Sequence, residues 1–492
     1  MKEKNYPSLE EAAKYRQDYR SVPVSRTILS DSRTPVEVLR ALKAVSRHTF
    51  ILESLEDHAR WGRYTFLGYD PKLEFTCLDG TITIRSGTTI TIQDSDYGKY
   101  LRQIIEENKS PVLPGLPPFT GGLMGYFAYD SIKYVEPTLD LPSADEEHFN
   151  DIDLMLFDKI IAFDNFRQTI TMIVNVQTNQ LEVNYKAAVL ELDTMEELVR
   201  RGMPAENPPL KIESDFQPLF NKEEFCSMVE KARHYIYEGD IFQVVLSNRL
   251  MAEAEGSLLD TYRLLRTQNP SPYMFYISSD SIEIAGSSPE TLVKLKEGVV
   301  HTFPLAGTRP RGKTEEEDLE LERGLLADPK ELSEHNMLVD LGRNDLGRIS
   351  KFGSVSVEKY MSIERYSHVM HIGSTVRGEI RDDQDAIDAI TSVLPAGTLS
   401  GAPKIRACEI INELEGNKRG IYGGAIGYID FTGNMDTCIA IRLAYKKNGK
   451  VIVRAGAGIV ADSVPENEFQ ESLNKAAAVV KAVRESEGGI DG

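Results

Sequence analysis

YMFYISSDSIEIAGSSPETLVKLKEGVVHTF, Tyr273–Phe303, contains four short apolar runs in succession: Tyr273–Ser279, Ile282–Ala285, Leu292–Leu295 and Val299–Phe303. Runs of this length and composition predict successive antiparallel strands. Helical spacing follows at Glu315–Leu326 and from Pro329. Strands return at Tyr422–Phe431, Thr437–Ala444 and Val451–Ala455, and a last helix starts near Asn467. Strands in runs, punctuated by helices, predict an α+β fold with large antiparallel sheets and argue against a doubly wound one.

Upstream, Ile241–Leu250 reads as a strand with Phe242, Val244 and Leu246 on one face and Gln243, Val245 and Ser247 on the other. Asn221 with Glu224 three residues on predicts a capped helix that buries Phe225, Val229, Ala232 and Ile236 and stops at Gly239. Gly202–Pro218 holds four prolines and several charges, which sets a boundary between a region 1–205 and a region 206–492. The first region is strand-rich: Ser21–Leu29, Phe50–Glu56, a hairpin over Thr81–Gln93 and Asp158–Val176, with helices at Thr34–Arg47 and Ala187–Arg201 and a run, Gly121–Asp130, whose glycines let backbones approach closely.

The 492 residues carry a net charge of −20. That balance argues against nucleic acid or an anionic membrane as the main partner. The four cysteines have no C-x-x-C spacing and suit reduced thiols in the cytoplasm. No run is long enough to span a bilayer, and the N-terminus has no apolar leader core.

Candidate chemistry centres on DPKELSEHNMLVDLGRND, Asp328–Asp345. Asp328 can cap a helix, Pro329 suits its first position, and Met337, Leu338 and Leu341 carry an apolar face. Glu331 and Glu334 then share one side. ENEFQESLNK repeats the pattern with Glu468 and Glu471, and Lys475 follows one turn on. Two such carboxylate pairs could close on a hard cation such as magnesium, although E-x-x-E is also a common solvated helix face. PLAGTRPRG (Pro304–Gly312) offers the backbone of Gly307 and Thr308 and the charges of Arg309 and Arg311. PAGTLSGAPK (Pro395–Lys404) offers Thr398, and AGAG (Ala455–Gly458) further backbone donors. Such turns suit anions, though any one alone could be a plain turn. Arg442 is a charge in the apolar run CIAIRLAY and needs a partner, protein or ligand. His371 and Glu290 are candidate proton carriers. Together these residues point to a magnesium-dependent enzyme acting on a small carboxylic acid.

The motifs GDIFQVVLS, SSPE, PLAGTRPRG, ELSEHNMLVDLGRND, PAGTLSGAPK, RAGAGIVADS and ENEFQES, in this order, closely resemble those of the chorismate-utilising enzymes, from about Ser21 onward. The resemblance implies two large antiparallel sheets packed as a sandwich with helices outside. It implies that Glu334 and Glu471 hold Mg2+ beside Glu331 and Glu468. Chorismate would be held by Gly307, Thr308, Thr398, the Gly456, Ala457 and Gly458 turn, Tyr422 and Arg442, with Lys475 near the metal. Glu290 would protonate the leaving 4-hydroxyl, and His371 would serve the loss of pyruvate. Lysine is absent at Gln243, where it marks isochorismate-forming members, and at Ala306, where many aminodeoxychorismate synthases carry it. Ammonia as nucleophile and anthranilate as product are therefore expected. ILESLE (Glu53, Ser54) and NPSPYMFY (Asn269, Pro272, Tyr273, Met274), with Tyr428 and Cys438, resemble a tryptophan inhibitor site. No glutaminase segment is present, so a glutamine amidotransferase subunit, in a two-plus-two heterotetramer, is the expected source of ammonia. The alternatives are an aminodeoxychorismate synthase and a tryptophan-binding regulator without catalysis.

Overall fold

The computed structural model describes residues 5–54, 62–94, 96–365 and 369–490. Among them, two antiparallel sheets dominate, one of 13 strands and one of 12. Along the first sheet run Ser21–Leu29, Thr169–Gln177, Lys159–Asp164, Tyr64–Tyr69, Thr49–Glu53, Tyr273–Ser278, Glu283–Ser288, Leu443–Lys447, Lys450–Ile459 and Gln243–Glu255. Along the second run Leu305–Pro310, Val369–Glu379, Val299–Thr302, Thr291–Lys296, Met435–Ile439, Ala425–Asp430, Gly122–Phe127, Ile152–Phe157, Leu73–Leu78 and the Thr81–Gln93 hairpin. Strands from before residue 205 form one contiguous block of each sheet and those from after it the other, the blocks joining where Thr49–Glu53 pairs with Tyr273–Ser278 and where Gly122–Phe127 pairs with Ala425–Asp430.

Strand alternation builds the layers. Phe50, Phe275 and Ile277 face inward to meet Met124, Tyr126, Met155 and Phe157 of the other sheet. Their neighbours Ile51, Met274 and Tyr276 face outward, under the helices Pro35–Lys43, Leu181–Arg201, Leu259–Gln268 and Pro465–Glu485. Leu123, Phe127, Leu154 and Leu156 face outward from the second sheet, under the helices Tyr97–Glu107, Pro329–Gly347 and Ala386–Val393. The expected sandwich with outer helices is the architecture found. Phe50 and Phe157 meet edge to face at 4.8 Å across the central layer. A phenylalanine buried so completely contributes roughly 1.5–3 kcal/mol. Within the second sheet the paired strands Gly122–Phe127 and Ile152–Phe157 leave no room for a side chain at one position: a Cβ on Gly125 would lie 2.1 Å from the Asp153 carbonyl oxygen.

The four strands of Tyr273–Phe303 exist, but they do not lie in one sheet. Tyr273–Ser278 and Glu283–Ser288 belong to the first, Thr291–Lys296 and Val299–Thr302 to the second. Glu290 stands at the crossing. The expected strand Thr437–Ala444 likewise divides. Met435–Ile439 belongs to the second sheet and Leu443–Lys447 to the first, with Arg442 between them at φ 51°. Inward-facing apolar residues look alike in either sheet, so alternation could not locate these crossings. The Tyr422–Phe431 strand begins only at Ala425, which leaves Tyr422 in the turn before it.

Helix Pro329–Gly347 forms as its sequence dictates. Asp328 accepts from the backbone N–H groups of Lys330 and Glu331, and Pro329 fills the first turn. Its buried stripe is His335, Leu338, Val339, Gly342, Asp345 and Leu346; Met337 and Leu341 are only half-buried. Two sequence expectations fall partly outside the described residues: Leu55 and Glu56 of the Phe50–Glu56 strand, and Tyr366 ahead of His371. Among the described residues no helix is long and apolar enough to cross a membrane.

Candidate active site

Where the sheets part, a cavity of about 550 Å³ opens, and both crossings feed it. Glu290 and Arg442 enter from the crossings, His371 from strand Val369–Glu379, and Thr398 from the short turn Gly397–Leu399. Tyr422, Gly307, Thr308, Gly456 and Gly458 complete the wall.

Enclosure by protein pushes the Glu290 carboxyl up to about 8, although the Thr398 hydroxyl and the Arg442 charge act the other way. Thr398 Oγ1 donates to the two Glu290 oxygens at 3.4 and 3.5 Å. Near neutral pH Glu290 therefore keeps its proton and can give it away. Burial lowers the His371 pKa, with a smaller push from Arg442, so the ring is neutral. His371 Nδ1 lies 2.9 Å from the Gly307 carbonyl oxygen, which can only accept. The proton is thus assigned to Nδ1, and Nε2 carries the basic lone pair. Gly307 reaches this position at φ 67°, in a bulge where Thr308 pairs with His371. Thr308 Oγ1 lies 3.0 Å from the same nitrogen. Among the described residues the Arg442 side chain makes no hydrogen bond or ion pair, and it is open to the cavity. An unpaired guanidinium beside a neutral acid and a neutral base is suited to an anionic substrate. Burial pushes the Tyr422 phenol up to about 12, so it remains a hydrogen-bond donor.

All four predicted carboxylates line this cavity too. Glu331 is held by Arg309 at 3.1 Å and Glu471 by Lys475 at 2.7 Å. Burial raises the Glu334 pKa, reinforced by Glu331, and burial raises that of Glu468, reinforced by Glu471. Among the described residues no three acidic, histidine or cysteine side chains already stand in metal-binding proximity. The arginines of PLAGTRPRG are not offered to a ligand. Arg309 pairs with Asp328 and Glu331, and Arg311 with Asp318. Ala455–Gly458 is not a turn but part of strand Lys450–Ile459, in register with Val245–Asn248. Ala457 consequently points away from the cavity, into the cluster of Phe225 and Val229.

A second cavity, of about 570 Å³, lies elsewhere in the sandwich. Glu53, Ser54, Pro272, Tyr273, Met274, Tyr428 and Cys438 line it; Asn269 does not, and bonds to Ser287 Oγ at 3.2 Å. Glu53 is engaged by Arg266 and by the Tyr262 hydroxyl. Ser54 Oγ is buried without a hydrogen-bond partner.

Sequence reasoning overlooked a buried network beneath the first cavity: Glu415, Arg419 and Arg454. Arg454 lies in the apolar run KVIVRAGAG, the same signal that singled out Arg442. Arg419 gave no such signal, because EGNKRG reads as a polar turn.

A chorismate binding enzyme family model matches residues 50–481. Anthranilate synthase component 1 of Acetivibrio thermocellus is 46% identical over 495 residues, covering 98% of this chain and 99% of the relative. The protein of the same name from Aquifex aeolicus is also 46% identical, covering 98% of each. The crystal structure of anthranilate synthase component I from Streptococcus pneumoniae TIGR4 superposes with a TM-score of 0.75 at 40% identity, over 87% of this chain and 93% of that one. The isochorismate synthase MenF of Escherichia coli, at 21% identity and a TM-score of 0.69 over 97% of this chain and 99% of its own, shares the fold.

Proposed function

This chain belongs to the chorismate binding enzymes, in the branch named anthranilate synthase component 1, and from that premise we propose that it turns chorismate and ammonia into anthranilate, pyruvate and water. The observation that carries the reading is the trio facing one cavity: a protonated Glu290, a neutral His371 and an unpaired Arg442. Arg442 and Tyr422 hold the substrate's pyruvyl carboxylate. Glu290, steadied by Thr398, delivers its proton to the leaving 4-hydroxyl as ammonia adds at C2. His371 Nε2 then takes the ring proton whose loss, with departure of pyruvate, makes the ring aromatic.

Glu331, Glu334, Glu468 and Glu471 form an oxygen-only donor set, the kind a hard dication prefers, and their mutual repulsion is what such a charge would relieve. Bound magnesium would supply positive charge for the substrate's ring carboxylate. A glutamine amidotransferase subunit supplies ammonia in this reading, in a heterotetramer of two large and two small subunits in the cytoplasm.

The deciding experiment is a product assay with chorismate, magnesium and an ammonium salt at mildly alkaline pH. Anthranilate supports the reading; aminodeoxychorismate or no turnover overturns it.

The second cavity is assigned to tryptophan as feedback inhibitor. Its apolar lining suits an indole, and the unpartnered Ser54 hydroxyl offers a polar handle. Ser54→Phe should fill part of this space. It is expected to raise the tryptophan concentration for half-inhibition by about tenfold or more, the effect of ~1.4 kcal/mol, with the uninhibited rate kept within about twofold. Inhibition curves of the two proteins check this, and superimposable curves would sink the assignment.

A further inference from the structure

Arg419 is 2% exposed and Glu415 4%, and their side chains are locked together. Arg419 Nε donates to Glu415 Oε2 at 3.0 Å and Nη2 to Oε1 at 2.6 Å. Glu415 also accepts from the backbone N–H of Ser247 at 2.8 Å and from its hydroxyl at 3.0 Å. The pair is thus compensated, as a buried charge must be. What Arg419 does with its remaining donors is less expected of a structural ion pair. Nη1 donates to the Leu399 carbonyl at 2.6 Å, and Nη2 to the Val245 carbonyl at 2.7 Å. Its guanidinium also lies 5.8 Å from the ring centre of Tyr422.

All three of these partners belong to the wall of the first cavity. Leu399 follows Thr398, which bonds to Glu290. Val245 lies two residues beyond Gln243 on the strand paired with Gly456 and Gly458. We propose that Arg419 is a positioning residue for the reaction, fixing the Thr398 turn, the Val245 strand and Tyr422 in one frame. Two carbonyls distant in sequence, Val245 and Leu399, converge on one rigid fork of donors. A lysine, with a compact ammonium, keeps the charge beside Glu415 but cannot reproduce the planar fork to both carbonyls. The inference rests on the reading of Glu290 and Thr398 given above.

A double-mutant cycle tests it, with kcat/KM and thermal melting measured for wild type, Arg419→Lys, Thr398→Ala and the double variant. If Arg419 acts through the Thr398 turn, the two losses overlap. Thr398→Ala is expected to cost about tenfold alone and less than about twofold after Arg419→Lys, in proteins that melt within a few degrees of one another. Additive losses overturn the inference while leaving the reading of Thr398 standing. Wild-type activity in Thr398→Ala brings down both. Should Arg419→Lys fail to fold, Glu415→Gln enters the same cycle in its place. Failure of both to fold overturns the positioning role in favour of a purely structural one.

Discussion

Glu290→Gln is expected to lower kcat/KM by roughly 10²–10⁴-fold, the usual worth of a positioned general acid, without loss of the fold. Glutamine keeps the shape of the protonated side chain and can still accept from Thr398, but it has no acidic proton. The wild-type pH profile should carry the same signature. Its basic limb should fall near pH 8, where Glu290 loses its proton, and its acidic limb below the ordinary histidine range, because His371 is neutral down to a lower pH than a free imidazole. The sign for stability is opposite to that of a salt-bridged carboxylate. The folded-state pKa of Glu290 is raised from 4.5 to about 8, so its favourable contribution is fully present below the unfolded value and fades as pH rises through that interval. Above about pH 8 the glutamine variant should therefore melt higher than wild type, and near pH 4 the two should coincide. A variant both inactive and more stable at alkaline pH is hard to explain unless the acid is held neutral by its surroundings. Equal melting curves across the whole range would refute that protonation state.

Glu334→Gln carries the second large effect. Glu334 is raised by burial and by the nearby Glu331 charge, so neutralising it relieves repulsion in the empty protein. If the four carboxylates hold magnesium, the same change removes a donor, and losing several kcal/mol of electrostatic assistance lowers turnover by about a thousandfold or more. The expected combination is a protein that melts at or above the wild-type temperature and barely turns over. Calorimetric titration with magnesium would separate lost metal binding from any other cause. Wild-type turnover in this variant would remove Glu334 from the metal set.

These two residues were legible in the sequence for different reasons. Glu334 stood out by its spacing from Glu331 on a helix whose cap and proline were plain. Glu290 stands out at a turn after an apolar strand, where burial could raise its pKa, and the crossing between the sheets is what buries it. The errors have physical sources. Arg309 and Arg311 read as ligand-binding charges because their partners, Asp328, Glu331 and Asp318, lie on separate helices that local sequence cannot bring near. Ala455–Gly458 read as a turn because glycine and alanine are poor strand formers. They occur in a strand because the neighbouring backbone leaves no room for more: a Cβ on Gly456 would lie 2.4 Å from the Leu246 carbonyl oxygen. Ala457 was misassigned for the same reason, since its orientation depends on strand register. Arg419 escaped notice because the carbonyls it holds, Val245 and Leu399, come from other segments of the chain.

The order of strands also has a consequence for how the chain is made. Met435–Ile439 lies between Thr291–Lys296 and Ala425–Asp430, and Leu443–Lys447 between Glu283–Ser288 and Lys450–Ile459. Both sheets therefore receive interior strands from near the end of the chain. During synthesis, strands made earlier must wait with unpaired backbone edges until residues 425–459 leave the ribosome. Such edges are templates for wrong pairing, and contacts this remote in sequence close slowly. Refolding should be slow and prone to aggregation at high concentration. Because Glu290 and Arg442 occupy the very links that join the two sheets, enzymatic activity should return no earlier than the late phase of refolding followed by circular dichroism.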